Sequence, residues 1–164
     1  MQELLKSLRM LIKLHESLYQ IAVDKMNDLK RDDVERLDEQ LKAEQSHLAA
    51  IRQVDRQREY AVQSLAHQYG MQETSPTVSD ILAVVQDDTE RKQLTEAREQ
   101  LLEVMDRLQQ QNELNQQLTY QSLQVVNFSL SMVRPPSKET MNYSKEEVKG
   151  VRGAQRKGTF DSQI

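Results

Sequence analysis

Apart from Gly70 and Pro76, the first 133 residues contain neither glycine nor proline. Over this stretch the apolar residues recur mostly at intervals of three and four, beginning with Leu4, Leu5, Leu8, Leu11, Ile12, Leu18, Tyr19, Ala22, Met26 and Leu29. Long unbroken runs with that spacing are the mark of amphipathic helices of many turns. Apolar residues make up 37% of the chain and charged residues 29%, a balance that lets each helix bury one stripe and solvate the rest. With aromatic residues at 4%, a β-sandwich or barrel core is disfavoured.

The punctuation divides the chain. Lys30 and Arg31 place positive charge where a helix C-terminus favours it, and Asp32-Asp33-Val34-Glu35 opens the next helix with a capping-box pattern. A connection this short predicts an antiparallel hairpin. The second helix is expected over about 33–69, with Val34, Leu41, Leu48, Val62 and Tyr69 at one heptad position and Leu37, Ile51 and Leu65 at another. Glu44, Asp55 and Arg58 interrupt that seam, either pairing across the bundle or marking where a partner helix has ended. Gly70 suits a left-handed helix terminus. Thr77 to Asp80 caps a short helix over 77–85, and Asp87 to Glu90 caps the longest, over 88–133, which Arg134-Pro135-Pro136 stops. The expected fold is all-α: an elongated antiparallel bundle of three long helices (the first over 2–29) plus one short helix, spanning 1–133. Residues 134–164, where three of the four glycines fall among Ser, Lys, Glu and Gln, read as a flexible tail.

Charge and composition exclude several functions. The tail carries seven Lys/Arg against four Asp/Glu, a net +3, and the chain as a whole carries −4, which leaves −7 on residues 1–133. An acidic body disfavours nucleic acid as the main ligand. No cysteine is present, which removes disulfides and thiolate chemistry and fits a reducing compartment. The N-terminus lacks the features of a signal peptide, and no apolar run is long enough to span a bilayer, so a cytoplasmic protein without membrane insertion is expected.

Catalytic and metal motifs are incomplete or missing. Glu44-x-x-His47 has the spacing of a di-iron bundle, but Ile12 and Ser64 stand three residues before His15 and His67, where a second motif would need glutamate. The histidines therefore read as surface residues of charged helix faces, and no metal or cofactor is expected. Neither Gly-x-Ser-x-Gly nor a glycine-rich phosphate loop occurs. The expectation is a protein that is not an enzyme.

The last helix carries the strongest signal. On a wheel of about 100° per residue, Leu114, Leu118, Val125, Phe128 and Met132 share a sector roughly 80° wide, while Leu123, Val126, Leu130 and Val133 fall about 140° away. That is more apolar surface than one bundle seam consumes. Two explanations stand open: packing against both other long helices or a second copy, or a surface for a partner helix. Nearby, Gln109, Gln110, Gln111, Asn112, Gln116 and Gln117 form a polar band that reads as a hinge or as plain surface.

In this order, Leu11-x-x-Leu14-x-Glu16-x-x-Tyr19, Lys30-Arg31-Asp32-Asp33-Val34-x-x-Leu37, then Glu44, Leu48, Ile51 and Arg58, a long last helix and a tail closing on Phe160-Asp161-Ser162 resemble the FlgN family of flagellar type III export chaperones. The resemblance implies an adaptor that holds the hook-filament junction proteins FlgK and FlgL in the cytoplasm, binding their C-terminal helical segments through its own last helix. It also implies docking on the cytoplasmic domain of the export gate FlhA through a tail tyrosine, here Tyr143. A homo-oligomeric coiled-coil scaffold, with a homodimer in the absence of client, is the rival reading, and a regulator that binds through its tail is a third.

Overall fold

A computed structural model describes residues 1–72 and 74–133. Among these residues every regular element is a helix: α1 (Gln2–Arg31), α2 (Val34–Gln68), the short α3 (Val78–Val84) and α4 (Asp88–Val133). The expected tail, including Tyr143, lies outside the described residues. At 1.5 Å per residue, the 30, 35 and 46 residues of the long helices reach about 45, 53 and 69 Å. The helices run up, down and up, so α1 and α2 are antiparallel while α1 and α4 are parallel. The middle of the assembly is α1. It packs along both α2 and α4, which do not bring their backbones within 8 Å of each other.

That central place explains the distribution of apolar residues. The α1 stripe through Leu4, Leu5, Leu8, Leu11, Leu18 and Ala22 is buried almost completely. On α2 only Ala61, Val62, Leu65 and Ala66 are buried, because only its C-terminal half meets the wide core. The largest cluster gathers Leu4, Leu5 and Leu8 with Val62, Leu65, Ile81, Val85, Leu94 and Ala97 at one end of the bundle. A smaller one holds Leu18, Ala22 and Leu108 further along, with Ile51 and Tyr19 against it. The Arg107 guanidinium lies 4.5 Å from the centre of the Tyr19 ring, covering the edge of this second cluster.

Local chemistry fixes the turns. Asp32 closes α1 in the left-handed conformation (φ 54°), and the Asp33 amide donates back to the Asp28 carbonyl at 3.1 Å. The side chain that caps α2 is that of Asp33, accepting from the Arg36 amide at 3.1 Å, so the cap sits on Asp33 and not on Asp32, the position that a capping box with Glu35 three residues on would require. Gly70 ends α2 at φ 69°, a conformation that costs other residues strain, and the Met71 amide reaches the Ala66 carbonyl at 2.9 Å. Thr77 and Asp80 cap α3 reciprocally. Ile81 and Val85 then drop into the main cluster, fully buried. The α3 segment thus plugs the gap that α2 and α4 leave at this end, and the Arg91 side chain donates to the Val85 carbonyl to tie α4 to it.

The heptad expectation for α2 needs correction in its first half. Val34, Leu41 and Leu48 are exposed, whereas Leu37, Glu44, His47, Ile51 and Arg58 lie on the partly buried side. A straight helix of 3.6 residues per turn drifts against a strict heptad, and the buried stripe has rotated accordingly. The interrupting charges do pair: Lys25 bridges to Glu44 across the hairpin at 2.8 Å, and Arg58 to Asp55 within α2 at 2.6 Å. His47 is likewise not a plain surface residue, since its ring nitrogens meet the Ser17 hydroxyl at 2.8 Å and the Ala43 carbonyl at 2.9 Å. The lower α1–α2 seam is therefore polar and specific rather than greasy.

Candidate protein-binding surface

The parallel α1–α4 seam has a readable register. Leu18 and Ala22 of α1 pack with Leu108, and the Asn115 side-chain amide donates to the Ala22 carbonyl at 2.8 Å. With α1 ending at Arg31, its last turn stands level with roughly residues 121 to 124 of α4 at equal rise. Among the described residues, the rest of α4 continues past the Asp32-Asp33 turn with no helix beside it. The overhang exists because α4 is 16 residues longer than α1: at this register it starts roughly seven residues before Gln2 and still runs roughly nine residues past Arg31.

Asn115 closes the packed part of the seam. It is buried, it accepts from Gln111 at 3.3 Å, and Gln111 in turn meets the Met26 sulfur at 3.3 Å. A buried amide whose donors and acceptors are matched fixes one register, because sliding the helix by a turn would strand them. Within the polar band read from the sequence, Gln111 is a core position. Asn115 lies outside that band, although its spacing of seven from Leu108 and eleven from Val104 places it on the buried stripe.

Beyond this layer the residues named from the sequence are solvent-facing. Leu114, Leu123, Val125, Val126, Phe128, Leu130, Met132 and Val133 are all exposed, from 49% at Leu114 to 79% at Val133, and Leu118 is half-buried. Packing of this stretch against both other long helices is thus excluded: from Leu123 onward every residue of both stripes is more than half exposed, and α2 does not approach α4. Nine large apolar side chains over about five helical turns, in two stripes, present the kind of surface that marks an association site. It carries no charge at all between Leu123 and Val133. The hydroxyls of Ser129 and Ser131 are satisfied on their own helix, Ser129 donating to the Val125 carbonyl at 2.9 Å and Ser131 to that of Phe128 at 2.6 Å.

Elsewhere the described surface carries open grooves. The groove between α1 and α2, lined by Met10, Leu14, Val54 and Tyr60 among others, mixes apolar side chains with Glu3, Lys6 and Arg56. A polar cleft by the hairpin turn holds Asp24, Asp28 and Glu39 together with Arg31 and Arg36. Among the described residues, no group of three or more His, Cys, Asp or Glu side chains is placed to hold a metal ion, and no helix is long and apolar enough to cross a membrane.

Comparison with known proteins agrees with the resemblance. The chain is 30% identical over 159 residues to the Bacillus subtilis (strain 168) protein YvyG, which is described as uncharacterized, covering 97% of this chain and 96% of that protein. No solved structure matches. The family described as FlgN protein matches residues 1–148, which takes in every described helix. On that match, the chain belongs to the FlgN family of flagellar export chaperones.

Proposed function

We propose that this protein binds the C-terminal helical segments of the hook-associated proteins FlgK and FlgL in the cytoplasm, keeps them soluble, and delivers them to the export gate by contact with FlhA. The observation that carries this reading is the overhang of α4, where Leu114 to Val133 present apolar stripes to solvent. Proteins that assemble through terminal helices must have those stripes covered before export. An uncharged surface of Leu, Val, Phe and Met side chains offers such cover without demanding one sequence. The work is binding alone, with no turnover. Tyr143 is proposed as the residue that contacts the gate, acting after the client is held.

The test mixes purified full-length protein with FlgK and with FlgL from the same bacterium and reads molar mass by light scattering after size exclusion. A discrete complex with either client, lost when the chain is truncated before Leu114 and lost again in Val126→Asp, is the expected result. A stable homodimer that ignores both clients would instead support the coiled-coil scaffold. Replacing Tyr143 by Ala is expected to leave the client complex intact and to lower export of the client in cells.

A further inference from the structure

The overhang differs from the body of α4 in more than its exposure. On a wheel of about 100° per residue, the buried positions Leu94, Ala97, Val104, Leu108, Gln111 and Asn115 occupy an arc roughly 100° wide. One neighbouring helix, α1, with α3 at its end, covers that arc. From Leu123 onward, the exposed apolar residues Leu123, Val125, Val126, Phe128, Leu130, Met132 and Val133 spread over about 220°, and the middle of this arc lies about 40° from the direction in which the body of the helix faces α1. Ser122 and Ser129, seven residues apart, run down its centre and divide it into two flanks.

We infer that the overhang is built to lie between two helices of its partner at once, so that the client engages as a helix pair rather than as a single helix. This inference rests on the chaperone reading given above. One helix packs over roughly the arc that α1 already covers, so a single docked helix would leave half of the overhang wet. The two flanks are unequal, which fixes how the pair sits. The flank of Leu123, Val126, Leu130 and Val133 starts only where α1 has ended, so the helix on it continues the line of α1 and abuts the Asp32-Asp33 turn. The flank of Leu114, Leu118, Val125, Phe128 and Met132 begins further back, and its 18-residue span at 1.5 Å per residue gives a contact of about 27 Å, against about 15 Å for the other. The longer partner helix therefore reaches back beside the body while the shorter one does not. Continuity with the α1–α4 seam identifies the occupant as helical, and the absence of charge between Leu123 and Val133 identifies both of its facing stripes as apolar.

The experiment places the photocrosslinker p-benzoylphenylalanine at Phe128 or at Leu130, one on each flank and roughly 160° apart on the helix. Each full-length variant is irradiated with purified FlgK or FlgL, and the adducts are mapped by mass spectrometry. The expected result is adducts to two non-overlapping segments of the same client. In parallel, Phe128→Asp and Leu130→Asp are each expected to weaken client binding at least tenfold. Adducts from both positions to one client segment, or one aspartate variant that binds within twofold of the parent, would overturn the helix pair and leave the chaperone reading standing. Adducts only to a second copy of this chain, or none with either client together with unchanged binding in both variants, would overturn the chaperone reading itself.

Discussion

The two ends of α4 differ in composition and in fate: the first turns are rich in charge around a narrow apolar stripe, whereas Leu123 to Val133 carry no charge at all. At its start, Leu94 and Ala97 sit among Leu4, Leu5, Leu8, Val62, Ile81 and Val85, where segments of all four helices converge and most of the large side chains are fully buried. At its far end, Val126, Phe128 and Leu130 are more than half exposed, with no helix beside them among the described residues. Each end nevertheless carries apolar side chains that could join a core. The difference lies in what stands opposite: α3 folds back to plug one end, and the α1–α2 hairpin stops short of the other. An apolar residue on a helix is a demand for a partner, and the fold answers that demand at one end only.

The largest effect that would break this contrast lies in stability. Leu94→Ala is expected to cost about 3 kcal/mol of unfolding free energy, through lost burial and the cavity left behind, while Phe128→Ala stays within about 0.5 kcal/mol. Urea unfolding of both variants measures this, and a comparable loss from Phe128→Ala would mean that the overhang is folded against something. Next comes the layer where the two regimes meet. Asn115→Ala should cost about 1 to 2 kcal/mol, since it removes the bond to the Ala22 carbonyl and leaves Gln111 poorly partnered. Asn115→Leu should recover much of that loss by burying apolar surface while relaxing the register. Spin labels on α1 and α4 of the cysteine-free chain, attached at single introduced cysteines, would then show a broader distance distribution.

Smaller effects sharpen the same comparison. Thr77→Ala should cost about 1 kcal/mol by undoing the reciprocal cap that holds α3 as a plug. Its loss should raise hydrogen exchange around Ile81 and Leu94 and leave the far end of α4 unchanged. Smallest is the Lys25–Glu44 pair on the polar hairpin seam, whose side chains are mostly buried at 2.8 Å. A double-mutant cycle should return a coupling of about 0.5 to 1 kcal/mol. A coupling of zero would show that this ion pair adds nothing to the seam beyond its packing and the Ser17–His47 hydrogen bond. In the parent protein, amides beyond Leu123 should exchange far faster than those around Val104, because a helical segment without tertiary contacts is marginal in water.

Much of this architecture is legible in the residues alone. The spacing of Leu4, Leu8, Leu11 and Leu18 announces a helix with a buried stripe, and Asp32-Asp33 announces a tight turn because acids cap the helix that follows. Thr77 with Asp80 marks the start of α3 in the same way. The doubled apolar face from Leu114 to Val133 can be named residue by residue, and so can the family. The buried stripe of α2 is less legible, because Val34, Leu41 and Leu48 keep a perfect heptad that drift carries out of the seam. Asn115 escapes a reading of this kind, since a polar residue among glutamines looks like surface until a carbonyl stands across from it.

By itself, then, the sequence determined the helices, their caps and turns, and the surplus of apolar side chains on the last of them. These are local matters, set by side chains within four residues of one another along the chain. Only the tertiary structure decided that α1 takes the middle place, that Glu44 pairs with Lys25, and that α4 outruns the hairpin so that its surplus faces water. Those outcomes depend on relative helix lengths and on register between segments some ninety residues apart, fixed by contacts such as that of Asn115 with Ala22. No pattern within a single helix encodes them.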